Sequence, residues 1–154
     1  MRTLITNGLV VTADGSFEAD VVIVDEKIEA VVARGDGALG GIAADETIDA
    51  TGKYVVPGGI DGHTHFELPF GGTFAKDTFE SGTKAAAHGG TTTIIDFAVQ
   101  PKGGTLQEGI DVWMAKAEGN AVLDYGFHMI MSDVNDASLA EMDRVVDAGI
   151  PDFK

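Results

Sequence analysis

Two of the chain's four histidines, His63 and His65, lie one residue apart in the segment PGGIDGHTHFELPF, residues 57–70. Residues i and i+2 of a β-strand face the same side, so this spacing directs both imidazoles at one point. Imidazole suits zinc, iron, nickel and similar ions, and the absence of cysteine excludes thiolate sites. The pair predicts a metal site that Asp61, also in phase, could support or orient. Spacing alone leaves hydrolase, oxygenase and simple metal-binding functions open.

Three further polar residues are weaker candidates for a functional role. Asp96 ends the apolar run TTTIID and lies where a carboxylate could orient a ligand. His128 lies in the predicted strand GFHMIM and could belong to the surroundings of a site or to the core. His88 ends a predicted helix, where a cation interacts favourably with the helix dipole, so we expect a structural role for it.

Residues 1–56 predict a small all-β module. RTLIT and LVVTA flank Asn7-Gly8, a strong hairpin signal, and DVVIV and KIEAVV flank a second tight turn at Asp25-Glu26. TIDATGKYVV predicts a third hairpin over 50–52. The glycines of ARGDGALGGIAAD, residues 33–45, indicate a loop.

After Pro57 the pattern changes to alternating strands and helices. Helices are predicted over 73–90, 105–120 and 136–150, and the expected inward-facing residues of the last two are Leu106, Ile110, Trp113, Leu139, Met142, Val145 and Val146. The β-branched run TTTIIDFAV, then LDYGFHMIM and PDFK, predict buried strands. This order predicts right-handed βαβ units on a parallel sheet. A complete (β/α)8 barrel takes about 250 residues, so we expect a longer polypeptide.

The composition excludes several classes of protein. The net charge of −15 makes a nucleic-acid-binding surface improbable, because phosphate neutralisation needs clustered Lys and Arg. Apolar runs fall far short of the ~20 residues that span a bilayer, and the N-terminus lacks the apolar core of a signal peptide. The absence of cysteine fits a reducing compartment, so we expect a cytoplasmic protein with no membrane partner.

Several blocks resemble one enzyme family. VVPGGIDGHTHFELPFGGT, DTFESGTKAAAHGGTTTIIDF, LDYGFHMIM and GIPDFK resemble the N-terminal third of hydantoinases and dihydropyrimidinases, which are cyclic-amide hydrolases of the amidohydrolase superfamily. The H-T-H segment marks only the superfamily, whereas PFGGT and GGTTTIIDF are more specific to this branch. The resemblance implies an α/β fold with a (β/α)8 TIM-type barrel. Residues 1–56 would be part of a β-sandwich module and 57–154 the first βα units of the barrel.

The resemblance also implies a site of two divalent metal ions, usually zinc. By that likeness His63 and His65 bind the first metal, and Lys154 is carboxylated on its amine and bridges both. An ammonium would repel two cations, whereas an anionic carbamate offers an oxygen to each at the ~3.5–4 Å separation of a binuclear site. Two further histidines and an aspartate would lie beyond residue 154. Asp61 and Asp96 would support the ligands, and Leu68 and Phe70 resemble the loop that receives the ring substituent.

The implied reaction is ring opening of a 5-substituted hydantoin or a dihydropyrimidine to an N-carbamoyl amino acid by a bridging hydroxide. The implied substrate is thus a small cyclic ureide or imide, and the implied assembly is a cytoplasmic homotetramer. Related alternatives are an allantoinase or a dihydroorotase, although the apolar PFGGT favours an uncharged substrate. A non-catalytic scaffold of the same fold would have lost metal ligands, whereas His63, His65 and Lys154 are all present. The 154 residues alone would hold only part of a site and would be inactive.

Two departures from the family pattern accompany these matches. Gly62 precedes His63, where the family often has a larger residue. GIPDFK replaces the usual GITSFK, which places Pro151 and Asp152 beside the predicted bridging lysine. Proline removes a backbone donor from a strand, and an added carboxylate changes the surroundings of the lysine.

Overall fold

The structure of the chain, a computed structural model, describes residues 1–34 and 43–154, so most of the predicted loop over 33–45 lies outside the described residues. The chain divides into two compact units, residues 1–57 and 58–154. Sequence placed the boundary between residues 56 and 57. The described residues of the first unit form strands without helices, whereas the second unit contains both strands and helices.

The first unit is a single five-stranded sheet. Its strands are β1 (Arg2–Thr12), β2 (Gly15–Val24), β3 (Lys27–Ala33), β4 (Glu46–Asp49) and β5 (Tyr54–Val55). The order is β3-β2-β1-β4, with β5 also paired to β1. β1, β2 and β3 are antiparallel neighbours, whereas β4 and β5 run parallel to β1. A small apolar cluster of Val10, Ala19 and Val21 lies on this sheet.

The predicted turn at Asp25-Glu26 is confirmed, but the hairpin predicted at Asn7-Gly8 is wrong. β1 continues through these residues as one strand, and its register against β2 shifts between Ile5 and Gly8. Asn7 has a φ of 63°, and its N–H donates to Asp20 Oδ1 at 2.8 Å. Asparagine tolerates this left-handed conformation, so the signal marks a β-bulge here instead of a chain reversal.

The third predicted hairpin, over 50–52, is also wrong. β4 pairs with residues 3–6 of β1, and β5 pairs with Leu9 and Val10 further along the same strand. Both run parallel to β1 and cannot pair with each other as a hairpin would. The turn between them moves the chain past the bulge at Asn7.

The second unit alternates strands and helices as predicted. Its elements are β6 (Gly59–Asp61), β7 (Pro69–Phe70), β8 (Thr73–Phe74), α1 (Phe79–His88), β9 (Thr91–Val99), α2 (Leu106–Ala117), β10 (Asp124–Ile130) and α3 (Asp136–Asp147). β6, β9 and β10 form a parallel sheet in the order β10-β9-β6. Phe153 adds a parallel bridge to Met129, so the predicted last strand lies on the far side of β10. The α/β class is confirmed.

Two helix predictions need correction. The helix predicted over 73–90 begins only at Phe79, because Thr73 and Phe74 pair with β7 and Thr78 caps the helix by accepting from the Ser81 N–H. α3 was expected to bury four apolar residues, but only Val145 is fully buried and Met142 is partly buried. Leu139 and Val146 lie on the flanks of that face and are about half exposed.

The core of the second unit lies between the sheet and its helices. Leu106, Ile110 and Trp113 of α2 are buried in it, as predicted. The other fully or nearly buried side chains of this cluster include Phe79, Ile94, Ala98, Phe127, Met129, Val145 and Ile150. α2 approaches β9 closely at Gly109, where an added β-carbon would lie 2.6 Å from the Val99 carbonyl oxygen.

This close approach gives a stability prediction for Gly109→Ala. Helix propensity alone would stabilise the variant by about 1 kcal/mol. The contact with the Val99 backbone reverses that sign, because α2 must move away from the sheet, and we expect a loss of about 1–3 kcal/mol. Urea denaturation measures the change. The control Gly126→Ala adds a methyl group in open space and should leave stability unchanged or slightly raised. A stabilised Gly109→Ala would contradict this packing.

Candidate metal centre

The two histidines of the H-T-H segment meet at their Nε2 atoms, 3.2 Å apart. They lie just beyond the last residue of β6, Asp61, and not within the strand as predicted. The ladder nevertheless continues past the strand, since the Thr64 N–H donates to the Ile95 carbonyl of β9 at 3.1 Å. Both side chains therefore keep the common direction that strand spacing predicts.

Asp96 fixes the segment that carries these histidines. It is fully buried in β9. Its Oδ2 accepts from the Phe66 N–H at 2.7 Å and from Thr64 Oγ1 at 3.0 Å. Its Oδ1 accepts from the backbone N–H of the next residue, Phe97, at 2.7 Å and from Trp113 Nε1 of α2 at 3.2 Å. Asp96 thus holds the residues on either side of His65.

Burial is the main influence on the pKa of the Asp96 carboxyl group and raises it. The four donated hydrogen bonds act in the opposite direction, because each stabilises the ionised form. A carboxylate in such surroundings is tolerated only with donors on both oxygens. Asp96 can therefore be buried at this position only because the hydrogen-bond network surrounds it.

The ring of Phe97 forms the floor of the candidate site. Its centroid lies 4.6 Å from that of His63, 4.8 Å from that of His65 and 4.8 Å from that of His128. Lys154 Nζ lies 4.7 Å from the same centroid. Sequence analysis missed this role, although one signal was available: adjacent residues of a strand face opposite sides, so Phe97 must face away from Asp96.

The residues present fit a divalent metal ion. Two nitrogens bound tetrahedrally to one zinc ion at about 2.0–2.1 Å stand about 3.3–3.4 Å apart, close to the observed separation of the Nε2 atoms. Burial lowers the pKa of His65, and His63 and Lys154 lower it further against the raising effect of Asp96. A lowered pKa keeps His65 neutral at neutral pH, as a metal ligand must be.

Within the described residues, His63 and His65 do not form a complete metal site with other ordinary ligand side chains. Residues 1–34 and 43–154 contain no cluster of three or more His, Cys, Asp or Glu side chains arranged to hold a metal. His65 Nδ1 is buried without a hydrogen-bond partner within the described part of the chain. A third ligand from these residues therefore requires a different chemical group, and Lys154 is the side chain over the same Phe97 ring.

The remaining predicted residues occupy different surroundings. Asp61 Oδ1 accepts from the backbone N–H of His63 at 3.1 Å and so supports the ligand segment through the main chain. Leu68 packs against the core of the second unit, whereas Phe70 lies on the β7–β8 hairpin with 81% of its surface exposed. His88 is the exposed last residue of α1, as expected of a structural histidine.

Comparison with known proteins places the chain in a family. The sequence profile described as "Amidohydrolase family" matches residues 54–151, which include both histidines, Asp61 and Asp96. The chain belongs to the amidohydrolase family. Hydantoinases of the amidohydrolase family are metal-dependent in general.

The relatives support the more specific resemblance to hydantoinases and dihydropyrimidinases. The chain is 59% identical over 153 residues to the D-hydantoinase of Streptomyces coelicolor, covering 99% of this chain and 33% of that protein. It is 54% identical to the D-hydantoinase of Geobacillus stearothermophilus, with 100% and 32% covered. The crystal structure of dihydropyrimidinase from Brevibacillus agri superposes with a TM-score of 0.91 at 50% identity, with 99% and 32% covered. The resemblance to hydantoinases and dihydropyrimidinases is confirmed.

The chain spans about a third of the length of the curated relatives it matches. None of the helices in the described part of the chain has the length and apolar character needed to cross a membrane.

The Asp96 network predicts the effect of the substitution Asp96→Asn. The amide keeps one acceptor oxygen but turns an NH2 group toward two of the four donors. We expect a loss of about 1–3 kcal/mol in the free energy of unfolding, the usual effect of buried unpaired polar groups. We also expect about tenfold weaker zinc binding, since residues that hold metal ligands contribute on that scale.

Urea denaturation and zinc titration of the metal-free protein measure these two effects. The matched control is Asp124→Asn, at the exposed first residue of β10, which should change neither. Wild-type stability and zinc affinity in Asp96→Asn would show that Asp96 does not hold the ligand segment.

Proposed function

We propose that the chain is the N-terminal part of a metal-dependent cyclic amidohydrolase. The reaction would open a 5-substituted hydantoin or a dihydropyrimidine ring to an N-carbamoyl amino acid. The observation that carries the proposal is the convergence of His63 Nε2 and His65 Nε2, with Lys154 Nζ over the same Phe97 ring. The D-hydantoinase and dihydropyrimidinase names of the relatives support the choice of substrate.

His63 and His65 would hold the first of two divalent ions, for which zinc is the proposed metal. Lys154, carboxylated on Nζ, would bridge the two ions and take a direct part in catalysis. Divalent ions, when bound, lower the pKa of water and polarise a carbonyl group. The protein's own part would be to present two imidazole nitrogens, to convert a cationic side chain into an anionic one, and to hold the histidine segment in place through Asp61 and Asp96.

We propose the organisation that the resemblance implies for the two units. Residues 57–154 would contribute the first βα units of a (β/α)8 barrel, which the order β6, β9, β10 and Phe153 around one parallel sheet supports. The candidate ligands lie toward the carboxyl ends of these strands, where barrel active sites form. Residues 1–56 would supply one layer of a β-sandwich, in keeping with exposed apolar side chains on that sheet such as Ile28 and Val31.

The loop between β6 and α1 is the proposed substrate-binding element. Leu68 is anchored in the core and Phe70 projects into solvent from the β7–β8 hairpin, so the loop has a fixed base and an apolar tip. An apolar tip suits the uncharged ring substituent of a small cyclic ureide or imide. The resemblance further supports a homotetramer located in the cytoplasm.

Removal of each proposed ligand tests the function in the full-length protein. We expect His63→Ala, His65→Ala and Lys154→Ala each to lower hydrolysis of dihydrouracil and hydantoin by at least about 100-fold, because even residues behind metal ligands contribute ~10–100-fold. Metal content per subunit should fall with activity. Absorbance of the ring and elemental analysis provide the two measurements.

Lys154 has variants that separate a carbamate from an ordinary lysine. Lys154→Arg should fail like Lys154→Ala, because guanidinium stays cationic and cannot take up CO2. Added short carboxylic acids should restore part of the activity of Lys154→Ala by replacing the missing oxygens. The exposed residues His88 and Lys102 serve as controls, and their replacement by alanine should leave turnover unchanged. Full activity in Lys154→Arg would refute the bridging role.

A further inference from the structure

We propose that His128 is a positioning residue that sets the direction of His63 by holding the Gly62–His63 peptide group; this inference rests on the proposed metal-dependent function. His128 Nε2 lies 3.0 Å from the Gly62 carbonyl oxygen, and its side chain is only 18% exposed. A carbonyl oxygen can only accept, so His128 donates from Nε2. The bond therefore fixes both the ring orientation and the nitrogen that carries the proton.

The contact joins strands that are not neighbours in the sheet. β9 lies between β6 and β10, so the backbones that carry Gly62 and His128 are about two strand spacings, ~9.5 Å, apart. His128 is in register with Phe97 of β9, and its ring packs on the Phe97 ring at 4.8 Å between centroids. The imidazole thus crosses over Phe97 to reach Gly62, on the face of the sheet that carries the proposed ligands.

The peptide group between Gly62 and His63 is held at both of its polar ends. His128 binds its carbonyl oxygen, and Asp61 Oδ1 accepts from its N–H at 3.1 Å. A peptide plane held at both ends cannot rotate, and the next plane along the chain is held by the bond from the Thr64 N–H to the Ile95 carbonyl. With the planes on both sides of the His63 Cα held, its Cα–Cβ bond keeps its direction. Gly62 itself has open space around its Cα, so no side chain of its own assists.

The two histidines are held in place by different residues. Asp96 holds Thr64 and Phe66, which flank His65. His128 and Asp61 hold the peptide group on the other side of His63. Loss of His128 should therefore free one imidazole while the other remains in place, which weakens metal binding without dismantling the segment.

Asp152 makes the smaller contribution to His128. Its Oδ2 lies 3.4 Å from His128 Nδ1, but 70% of the Asp152 side chain is exposed. This contact is an ion pair only when both ring nitrogens of His128 carry protons, and solvent screens a pair with so exposed a carboxylate. The bond to Gly62 is shorter, 3.0 Å against 3.4 Å, so it is the contact that decides the ring's position. Asp152 replaces the usual family residue, and we infer only a minor role for it.

Variants of His128 distinguish positioning from simple packing in the full-length protein. His128→Gln can place an amide N–H near the position of Nε2, whereas His128→Leu has similar bulk and no donor. We expect zinc affinity of the metal-free protein to fall about tenfold in His128→Leu, the scale seen for residues that support metal ligands. His128→Gln should recover most of the lost zinc affinity, and Asp152→Asn should change the zinc affinity by less than about threefold. His88→Leu, at the exposed end of α1, should have no effect.

Competition with a chromophoric zinc chelator measures affinity, and the thermal midpoint of the metal-free variants measures packing. Recovery in His128→Gln, with midpoints like that of the wild type, supports the positioning role. Zinc affinity in His128→Leu equal to that of the wild type would overturn the positioning role but leave the proposed function intact. Equal losses of zinc affinity in His128→Leu and His128→Gln, with lowered thermal midpoints in both, would overturn the positioning role as well. A wild-type protein that binds no zinc would overturn the proposed function, and the role of His128 with it.

Discussion

The buried carboxylate of Asp96 is the constraint on which the rest of the second unit depends. A carboxylate removed from water needs donors on both oxygens, because an unpaired buried charge is strongly destabilising. The donors come from the H-T-H segment, from β9 itself and from Trp113 of α2. The requirement of one group therefore ties a helix, a strand and the proposed ligand segment together.

Side chains alternate along β9, so one face of this strand supports the core and the other faces the candidate metal site. Asp96 faces α2 and the core, whereas Phe97 faces the two histidines, His128 and Lys154. Adjacent residues of one strand thus serve opposite faces of the sheet. The rigid aromatic ring beneath the proposed ligands also limits the space into which their side chains can relax. The proposed metal site is consequently shaped by the sheet as much as by the ligands.

Sequence predicted the parts of this arrangement that depend on local pattern. The alternation after Pro57, the faces of α2 and the common direction of His63 and His65 follow from side-chain periodicity alone. The errors lie where distant strands decide the outcome. Asn7-Gly8 forms a bulge within β1, and β4 and β5 pair with β1 on either side of it. The partners of Asp96 and the stacking of His128 on Phe97 depend on strand register, which no local pattern specifies.

The most direct test is the location of metal in the full-length protein loaded with zinc. Anomalous diffraction at the zinc edge would show where the ions lie, and the electron density would show the state of Lys154. We expect one ion within coordination distance of His63 Nε2 and His65 Nε2, above the Phe97 ring, and a second ion joined to it by a carboxylated Lys154. Zinc bound away from these residues, or a fully loaded active protein with an unmodified amine at Lys154, would contradict the account.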